Sequence, residues 1–285
     1  MKKKRKLSGL IAVWKRFWKN KLAVVALIVL VILIFVAVFA PFIAPYPFEE
    51  QHTSHRNEGP SRQFPLGTDK FGRDILSRLI YGSQQSLSMG IVAVAIASIL
   101  GVTIGSIAGY YGGKTENLIM RLLDIYQSIP MFLLCVTLAA VLGPSLRNAI
   151  IALGISTIPI YARIMRVTVM TVREKEYVEA ARSINATDGR IIARHIIPNA
   201  LAPIIVEMTM GIGSSILAGA ALSFIGLGVQ LPVPEWGALI TDARSVMRER
   251  PSLALYPGIC IMLTVLSCNL LGDGLRDALD PRLKN

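Results

Sequence analysis

The sequence predicts an all-α membrane protein with six transmembrane helices, and three observations lead to this prediction. Of its 285 residues, 53% are hydrophobic, and the mean hydropathy is +0.55. Uncharged apolar runs approach or exceed the roughly 20 residues that a helix needs to cross the hydrocarbon core of a membrane. Lysine and arginine cluster between these runs, as they do in the loops of membrane proteins. Soluble domains rarely combine these features.

Division of the sequence at its charged residues gives six candidate spans. They are Leu22–Ala44, Leu87–Tyr110, Ile125–Leu142, Asn148–Met165, Ile204–Ile225 and Leu253–Leu271. The fourth span is short, and snorkelling of the basic side chains that bracket it would complete it. The predicted order is a basic N-terminus (1–21), an anchor helix (22–44), an outer loop (45–82), a transmembrane core (83–276) and a tail (277–285).

The distribution of basic residues predicts that both termini are cytoplasmic. Most of the 30 lysine and arginine residues fall in the N-terminal segment, in the loops after spans two and four, and in the tail. Such an excess marks the cytoplasmic face, and an even number of spans puts both ends there. The basic start Met1–Lys6 resembles a signal peptide, but the following apolar run is too long and lacks a cleavage site. We therefore expect an uncleaved anchor in a prokaryotic plasma membrane.

The outer loop predicts a short interfacial helix before span two. Thr68 or Asp69 can cap such a helix, because both side chains accept hydrogen bonds from free backbone amides. Phe71, Ile75 and Leu79 would then share one face and lie on the outer membrane surface. A structural lid and a substrate contact both stay open as roles for this loop.

Three glycines at four-residue spacing predict close packing of span two against another helix. Gly101, Gly105 and Gly109 lie on one helical face. Since none has a side chain, a neighbouring backbone can approach this face closely, as in other small-xxx-small contacts in membranes.

Two acidic residues lie in or near the spans. A carboxylate in hydrocarbon is costly, so each should face a cationic partner or a wet cavity. Asp124 follows Arg121 by three residues, and this spacing favours a local ion pair over a place in a translocation path. Glu207 has no basic neighbour in sequence, so a place in a translocation path and an interhelical lock are equally good interpretations.

Several other functions are disfavoured by the sequence. The net charge of +12 is concentrated at span ends, without the aromatic and basic pattern of a nucleic-acid groove. The segment Gly109–Thr115 imitates a phosphate loop, but Ala108 replaces its first glycine and it follows an apolar helix. The cysteines Cys135, Cys260 and Cys268 form no CxxC pair, and the three histidines form no HExxH motif. We expect no cofactor or metal in this chain, and no enzymatic activity.

The segment Arg173–Pro203 is the most informative part of the sequence. It is too charged to enter a bilayer, yet Tyr177, Ala180, Ala181 and Ile184 fall on one face of a helix. Two alanines at the centre of an apolar face suit close docking into a groove of another protein.

The same segment predicts a pair of short helices. Asn185 follows the first helix and tolerates the left-handed conformation of a helix C-terminus. Thr187 is a natural N-cap for the second helix, and Asp188 is favourable in its first turn. Pro198 is expected to end the pair before span five. An ordinary amphipathic connector is the alternative interpretation.

These residues resemble the signature of permease subunits of ATP-binding-cassette (ABC) importers. Glu179, Ala180, Ala181 and Pro198 match it, whereas Asn185 replaces the usual glycine. His195 and Ile197 also depart from it, without harm to a helix. Motifs throughout the chain narrow the resemblance to the dipeptide, oligopeptide and nickel permeases of the "C" type. They are LGTDKFGRD (66–74), AGYYGG (108–113), YVEAAR (177–182), RHIIPN (194–199), LSFIGLG (222–228), PEWG (234–237) and NLLGDGLRDALDP (269–281).

The resemblance implies a type I ABC importer permease fold and a set of partners. These would be a homologous second permease, two cytoplasmic ATPases that bind ATP and Mg²⁺, an extracytoplasmic binding protein and membrane lipid, with no nucleic acid. The residues implied in ATPase coupling are Tyr177, Glu179, Ala180, Ala181, Arg182, Asn185 and Pro198. Pro234, Glu235, Trp236 and Gly237 would lie on the outer side, within reach of the binding protein.

The expected function is ATP-driven import of short peptides by alternating access. The same machine importing nickel or a metal chelate remains an alternative. A stand-alone secondary transporter or channel is a different class, which predicts an internal repeat and midplane helix breaks. No clear repeat is present, and such a protein has no use for a coupling segment.

Overall fold

The computed structural model describes residues 14–279, and within this range the chain forms helices without a β-strand. The helices are α1 (Lys21–Val38), α2 (Ile75–Tyr111), α3 (Gly113–Gln127), α4 (Met131–Leu142), α5 (Leu146–Val172), α6 (Glu176–Ser183), α7 (Asp188–Phe224), α8 (Trp236–Ala243) and α9 (Ser252–Leu279). Short helical turns also occur at Ala40–Ile43, Thr53–His55 and Arg244–Val246. The basic start Met1–Lys6 and the tail beyond residue 279 lie outside the described residues.

Five of these helices are long and apolar enough to cross a membrane: α1, α2, α5, α7 and α9. Helices α3 and α4 form a sixth span only if taken together, since they are bent by 77° at the break between them. The all-α architecture is therefore confirmed, with five spans, or six if the bent pair is counted as one. Helices α2 and α5 form the most extensive helix pair, α7 packs on both of them and on α9, and α9 also contacts α1.

The three glycines of α2 lie against α5. A Cβ atom built on Gly101 would lie 2.5 Å from Cβ of Tyr161, and one on Gly109 would lie 2.7 Å from the carbonyl oxygen of Arg166. At Gly105 the obstacle is the backbone of Ala162. Any larger residue would push the two helices apart, which is the packing role that the spacing predicts.

The predicted separate interfacial helix is wrong, because α2 begins at Ile75 and continues into the membrane span. Asp74 is its N-cap, and its carboxylate accepts a 2.7 Å hydrogen bond from the amide of Ser77. Asp69 instead accepts hydrogen bonds from loop amides, among them that of Phe71. Ile75 and Leu79 are buried in the protein core instead of lying on the membrane surface.

The predicted helix end at Pro198 is also wrong. The second helix of the Arg173–Pro203 segment is continuous with span five, and α7 runs for 37 residues. A π-helical turn, Ile192–Ile196, directly precedes the first turn of the regular helix, where Pro198 lies. Proline cannot donate a backbone hydrogen bond, and Pro198 lies where the π-helical pattern changes to the regular one, so the helix continues past it. The first turns of α7 and span five therefore belong to one helix.

The third predicted span, Ile125–Leu142, contains a sharp break. Helix α3 ends at Gln127, and Pro130 is the N-cap of α4. The residue before a proline is disfavoured in the helical region, which explains why the apolar run does not form one straight helix.

Candidate functional site

Helix α6 exposes an apolar strip on one face. Tyr177 is 43% exposed, Ile184 is 80% exposed, and Ala180 between them is also exposed. The other side of the helix is buried, including Val178 and Ala181. Three of the four residues on the predicted face are therefore exposed, and their docking on a partner stays a prediction. Ala181 belongs instead to the face that anchors α6 to its own chain.

The anchor of α6 is a hydrophobic cluster shared with α5 and α7. Val178 and Ala181 belong to the same buried cluster as Val172 of α5 and Ile191 and Ile196 of α7. This packing fixes α6 as a rigid attachment to two long helices.

The turn between α6 and α7 has the predicted geometry at Asn185. Its φ is +56°, and its amide donates a 2.9 Å hydrogen bond to the carbonyl of Arg182. The next amide, that of Ala186, reaches the carbonyl of Ala181 at 3.2 Å, which completes a Schellman motif. Asp188 lies in the first turn of α7 as expected, whereas Thr187 makes no side-chain capping bond.

A polar contact ties this turn to the end of α2. The Tyr110 hydroxyl lies 2.7 Å from Oδ1 of Asp188, and the Arg182 guanidinium lies 5.2 Å from the centre of the Tyr110 ring. Arg173 donates a 2.8 Å hydrogen bond to the carbonyl of Gly109. Sequence reasoning missed this contact, because Tyr110 and Asp188 are 78 residues apart.

The remaining residues of the predicted coupling set are accessible. Glu179 and Arg182 are exposed, and both line an open polar depression with Tyr111 and Arg173. Pro198 is also exposed, but it lies in α7 and not in α6. The structure therefore presents a mixed polar and apolar surface around α6.

Glu207 lies in a cavity of about 150 Å³ between α4, α5 and α7. Ser156, Thr157, Tyr161 and Ser214 contribute polar atoms to its lining. Within residues 14–279 the Glu207 carboxylate has no ion pair or hydrogen bond. An interhelical lock would require a partner, so the geometry favours the interpretation of a cavity-facing carboxylate.

Asp124 does not line the cavity that contains Glu207. Its Oδ1 atom lies 2.6 Å from Nη2 of Arg163 in α5, so the expected local pair with Arg121 is wrong. A second ion pair, between Glu116 and Arg166, also joins α3 to α5. Both pairs bridge about 40 to 50 residues of sequence, which is why local spacing did not reveal them.

Pro234, Glu235, Trp236 and Gly237 are all buried. The Glu235 carboxylate caps α8 by accepting hydrogen bonds from the amides of Gly237 and Ala238, at 2.8 and 2.9 Å. The Trp236 indole donates a 3.1 Å bond to a carbonyl of α2. These side chains hold α8 in place and offer no surface for the expected contact with a binding protein. The exposed residues nearest to them in sequence are Leu231 and Pro232.

A buried ion cluster joins the outer loop, α2 and α8. Nε of Arg73 lies 2.6 Å from Asp69, and Nη2 of Arg73 lies 3.2 Å from Asp242. Arg78 is 1% exposed and lies 3.7 and 3.8 Å from the same two carboxylates. Sequence reasoning missed this cluster, because Asp242 lies 164 residues after Arg78 in the chain.

Within the described residues 14–279, no group of three or more His, Cys, Asp or Glu side chains is arranged to hold a metal ion.

Comparison with known families gives two matches, which lie on either side of residues 61–100. Residues 101–285 match the binding-protein-dependent transport system inner membrane component family. Residues 10–60 match the N-terminal TM domain of oligopeptide transport permease C.

The chain is also similar to individual curated proteins. The dipeptide transport system permease protein DppC of Alkalihalophilus pseudofirmus is 48% identical over 272 residues, which covers 95% of this chain and 90% of that protein. The glutathione transport system permease protein GsiD of Pectobacterium atrosepticum is 44% identical over 273 residues, covering 95% and 91%.

Among solved structures, one chain of the inward-facing MetNI methionine ABC transporter has a similar fold. It has a TM-score of 0.58 and 18% sequence identity, and the match covers 72% of this chain and 98% of that chain.

Proposed function

This chain belongs to the binding-protein-dependent transport system inner membrane component family, and from that premise we propose that it is a permease subunit of an ATP-driven importer of short peptides. Relatives named as dipeptide and glutathione permeases, at 48% and 44% identity, support the peptide cargo. The partners would be a homologous second permease, two ATPases that hydrolyse ATP with Mg²⁺, and a substrate-binding protein.

One observation carries the proposed link to an ATPase. The strip of Tyr177, Ala180 and Ile184 is exposed, although these are apolar or small residues on a helix otherwise anchored by buried contacts. An apolar helix face of this kind is suited to a groove in a partner, where its burial would favour association. We assign the α6 end of the molecule, with both termini, to the cytoplasmic side.

Coupling of ATPase movement to the membrane helices needs no chemical reaction in this chain. A force on α6 acts through its buried cluster and the Schellman turn at Asn185 on α7, which is continuous into the membrane. The Tyr110–Asp188 hydrogen bond joins the same turn to α2. Closure of the ATPases would therefore move α2, α5 and α7 together between inward- and outward-facing states.

Import of nickel or a metal chelate by the same machine is the alternative cargo. The two relatives described above are named for a dipeptide and for glutathione, which is itself a short peptide, and this favours peptides. A stand-alone channel or secondary transporter would leave the exposed strip on α6 without a role.

The experiment that tests the proposal is ATP-dependent uptake of a radiolabelled dipeptide by the chain with its companion subunits. Glu179→Lys reverses a charge beside the docking strip and should abolish uptake. The matched control Glu249→Lys reverses an exposed charge in the segment between α8 and α9 and should retain it. Wild-type uptake by Glu179→Lys would contradict coupling through α6.

A further inference from the structure

The cavity around Glu207 presents hydrogen-bond acceptors. The hydroxyls of Ser156 and Thr157 donate at 2.7 and 2.9 Å to carbonyls of their own helix. Ser214 does the same at 3.3 Å. Their hydrogens are therefore used within the helices, and the oxygen lone pairs remain for a ligand. The hydroxyls of Tyr161 and Ser215 also line the cavity. With the Glu207 carboxylate included, the acceptor sites of the lining still outnumber its donor hydrogens.

No basic residue lines the cavity within the described part of the chain. Met131, Leu153 and Ile160 contribute apolar walls, which exclude water and strengthen an electrostatic contact. A ligand with a positive charge and several donor hydrogens would complement this lining, whereas an anion would be repelled. A primary ammonium group has these properties, with three donors and no acceptor.

Size and position restrict what the cavity can hold. A volume of about 150 Å³ is about five times the share of one water molecule in the liquid, which is enough for the charged end of a cargo. Glu207 lies about 25 Å from the Phe224 end of α7, at 1.5 Å per residue. Phe132 lines both this cavity and a wide apolar groove between α7, α8 and α9. The cavity is thus a side pocket next to a larger open space.

We propose that the Glu207 cavity is a transient subsite for the primary ammonium group of a peptide in transit, with Glu207 as counter-ion and Ser156, Thr157 and Ser214 as neutral acceptors. This inference rests on the proposed function, because it takes the peptide as the cargo. It adds that the permease itself contacts the amino group of the peptide. The contact is weak enough to release the cargo, since only one charge faces it.

The first test measures ligand protection of Glu207 in the purified, fully assembled transporter. Dicyclohexylcarbodiimide modifies carboxyl groups in apolar surroundings, and mass spectrometry locates the modified residue. We expect alanyl-alanine to slow modification of Glu207 several-fold and N-acetyl-alanyl-alanine, which lacks the ammonium group, to leave it unchanged. Equal protection by both peptides, or by neither, would overturn the proposal. This test needs no substitution at Glu207.

The second test compares dipeptide uptake by variants of the assembled transporter. Glu207→Gln should reduce the rate about tenfold, corresponding to loss of one charge-assisted contact, while Glu207→Asp should restore most of it. The exposed control Glu249→Gln should transport like wild type. Wild-type uptake by Glu207→Gln would refute the subsite and leave the proposed function intact. Absence of peptide uptake by the wild-type complex would refute the proposed function. In that case, amine-specific protection of Glu207 in the first test would still support the cation subsite.

Discussion

Asn185 holds a backbone conformation that most residues avoid. Its φ of +56° lies in the left-handed region, which asparagine tolerates and β-branched residues do not. The Schellman bonds on either side fix how α6 meets α7. A single residue therefore sets the angle of the exposed docking strip.

Substitution of Asn185 tests this conformational requirement. Asn185→Gly should retain dipeptide uptake, because glycine adopts positive φ without strain. Asn185→Val should cost about 1–3 kcal/mol of local strain and lower uptake while the protein still inserts into the membrane. Equal uptake by the two variants would show that the left-handed turn is not needed.

Glu235 is a buried carboxylate with a structural role. It accepts hydrogen bonds from two amides of α8 and from the hydroxyls of Ser86 and Ser223, at 3.0 and 2.8 Å. Glu235→Ala should lower the free energy of unfolding by about 3 kcal/mol, since it leaves buried donors unpaired. Thermal unfolding in detergent measures this, with Glu249→Ala as the exposed control. A melting temperature equal to that of the control would contradict the capping role.

At the scale of elements, the contact between α2 and α5 depends on the absence of side chains. Gly105→Leu would place a branched side chain against the backbone of Ala162. We expect a loss of at least about 3 kcal/mol, seen as a lower melting temperature of the purified chain. Gly258→Ala in α9 is the control, because a Cβ there meets nothing within 4 Å. Similar melting temperatures for both variants would argue against close α2–α5 packing.

Element boundaries show what a local pattern predicts and what it misses. The apolar runs and the glycine spacing were sufficient to predict the spans and the face of α2 that packs on α5. The start of α2 was missed because Arg78 is buried by partners as distant as Asp242. The continuity of α7 was missed because prolines usually interrupt helices. Pro198 instead lies where the π-helical turn passes into the regular helix. In both cases tertiary contacts or position within a helix override a local rule.

At the scale of the whole molecule, the sequence predicted the family and the helices of segment 173–203 better than the internal cavity. The segment 173–203 is contiguous, so its helices and the turn at Asn185 are readable from spacing. The Glu207 cavity is assembled from three helices, and Ser156 and Ser214 have no sequence signal that joins them. The partner of Asp124, Arg163, is likewise visible only in three dimensions.

The structure joins an exposed helix face to three membrane helices. Val178 and Ala181 bind α6 to α5 and α7, and Tyr110 links α2 to the same turn. We infer that α6 transmits movement from an ATPase to this bundle. Such transmission requires direct contact between the exposed strip and the ATPase.

Site-specific crosslinking at position 180 tests this contact most directly. Ala180→Cys would be placed in a chain whose three native cysteines are replaced, and paired with cysteines along the candidate groove of the co-purified ATPase. We predict an efficient crosslink at position 180 and none from Ala181→Cys, whose side chain faces the chain's own core. Failure of position 180 to crosslink in an assembled, ATP-hydrolysing complex would contradict the account.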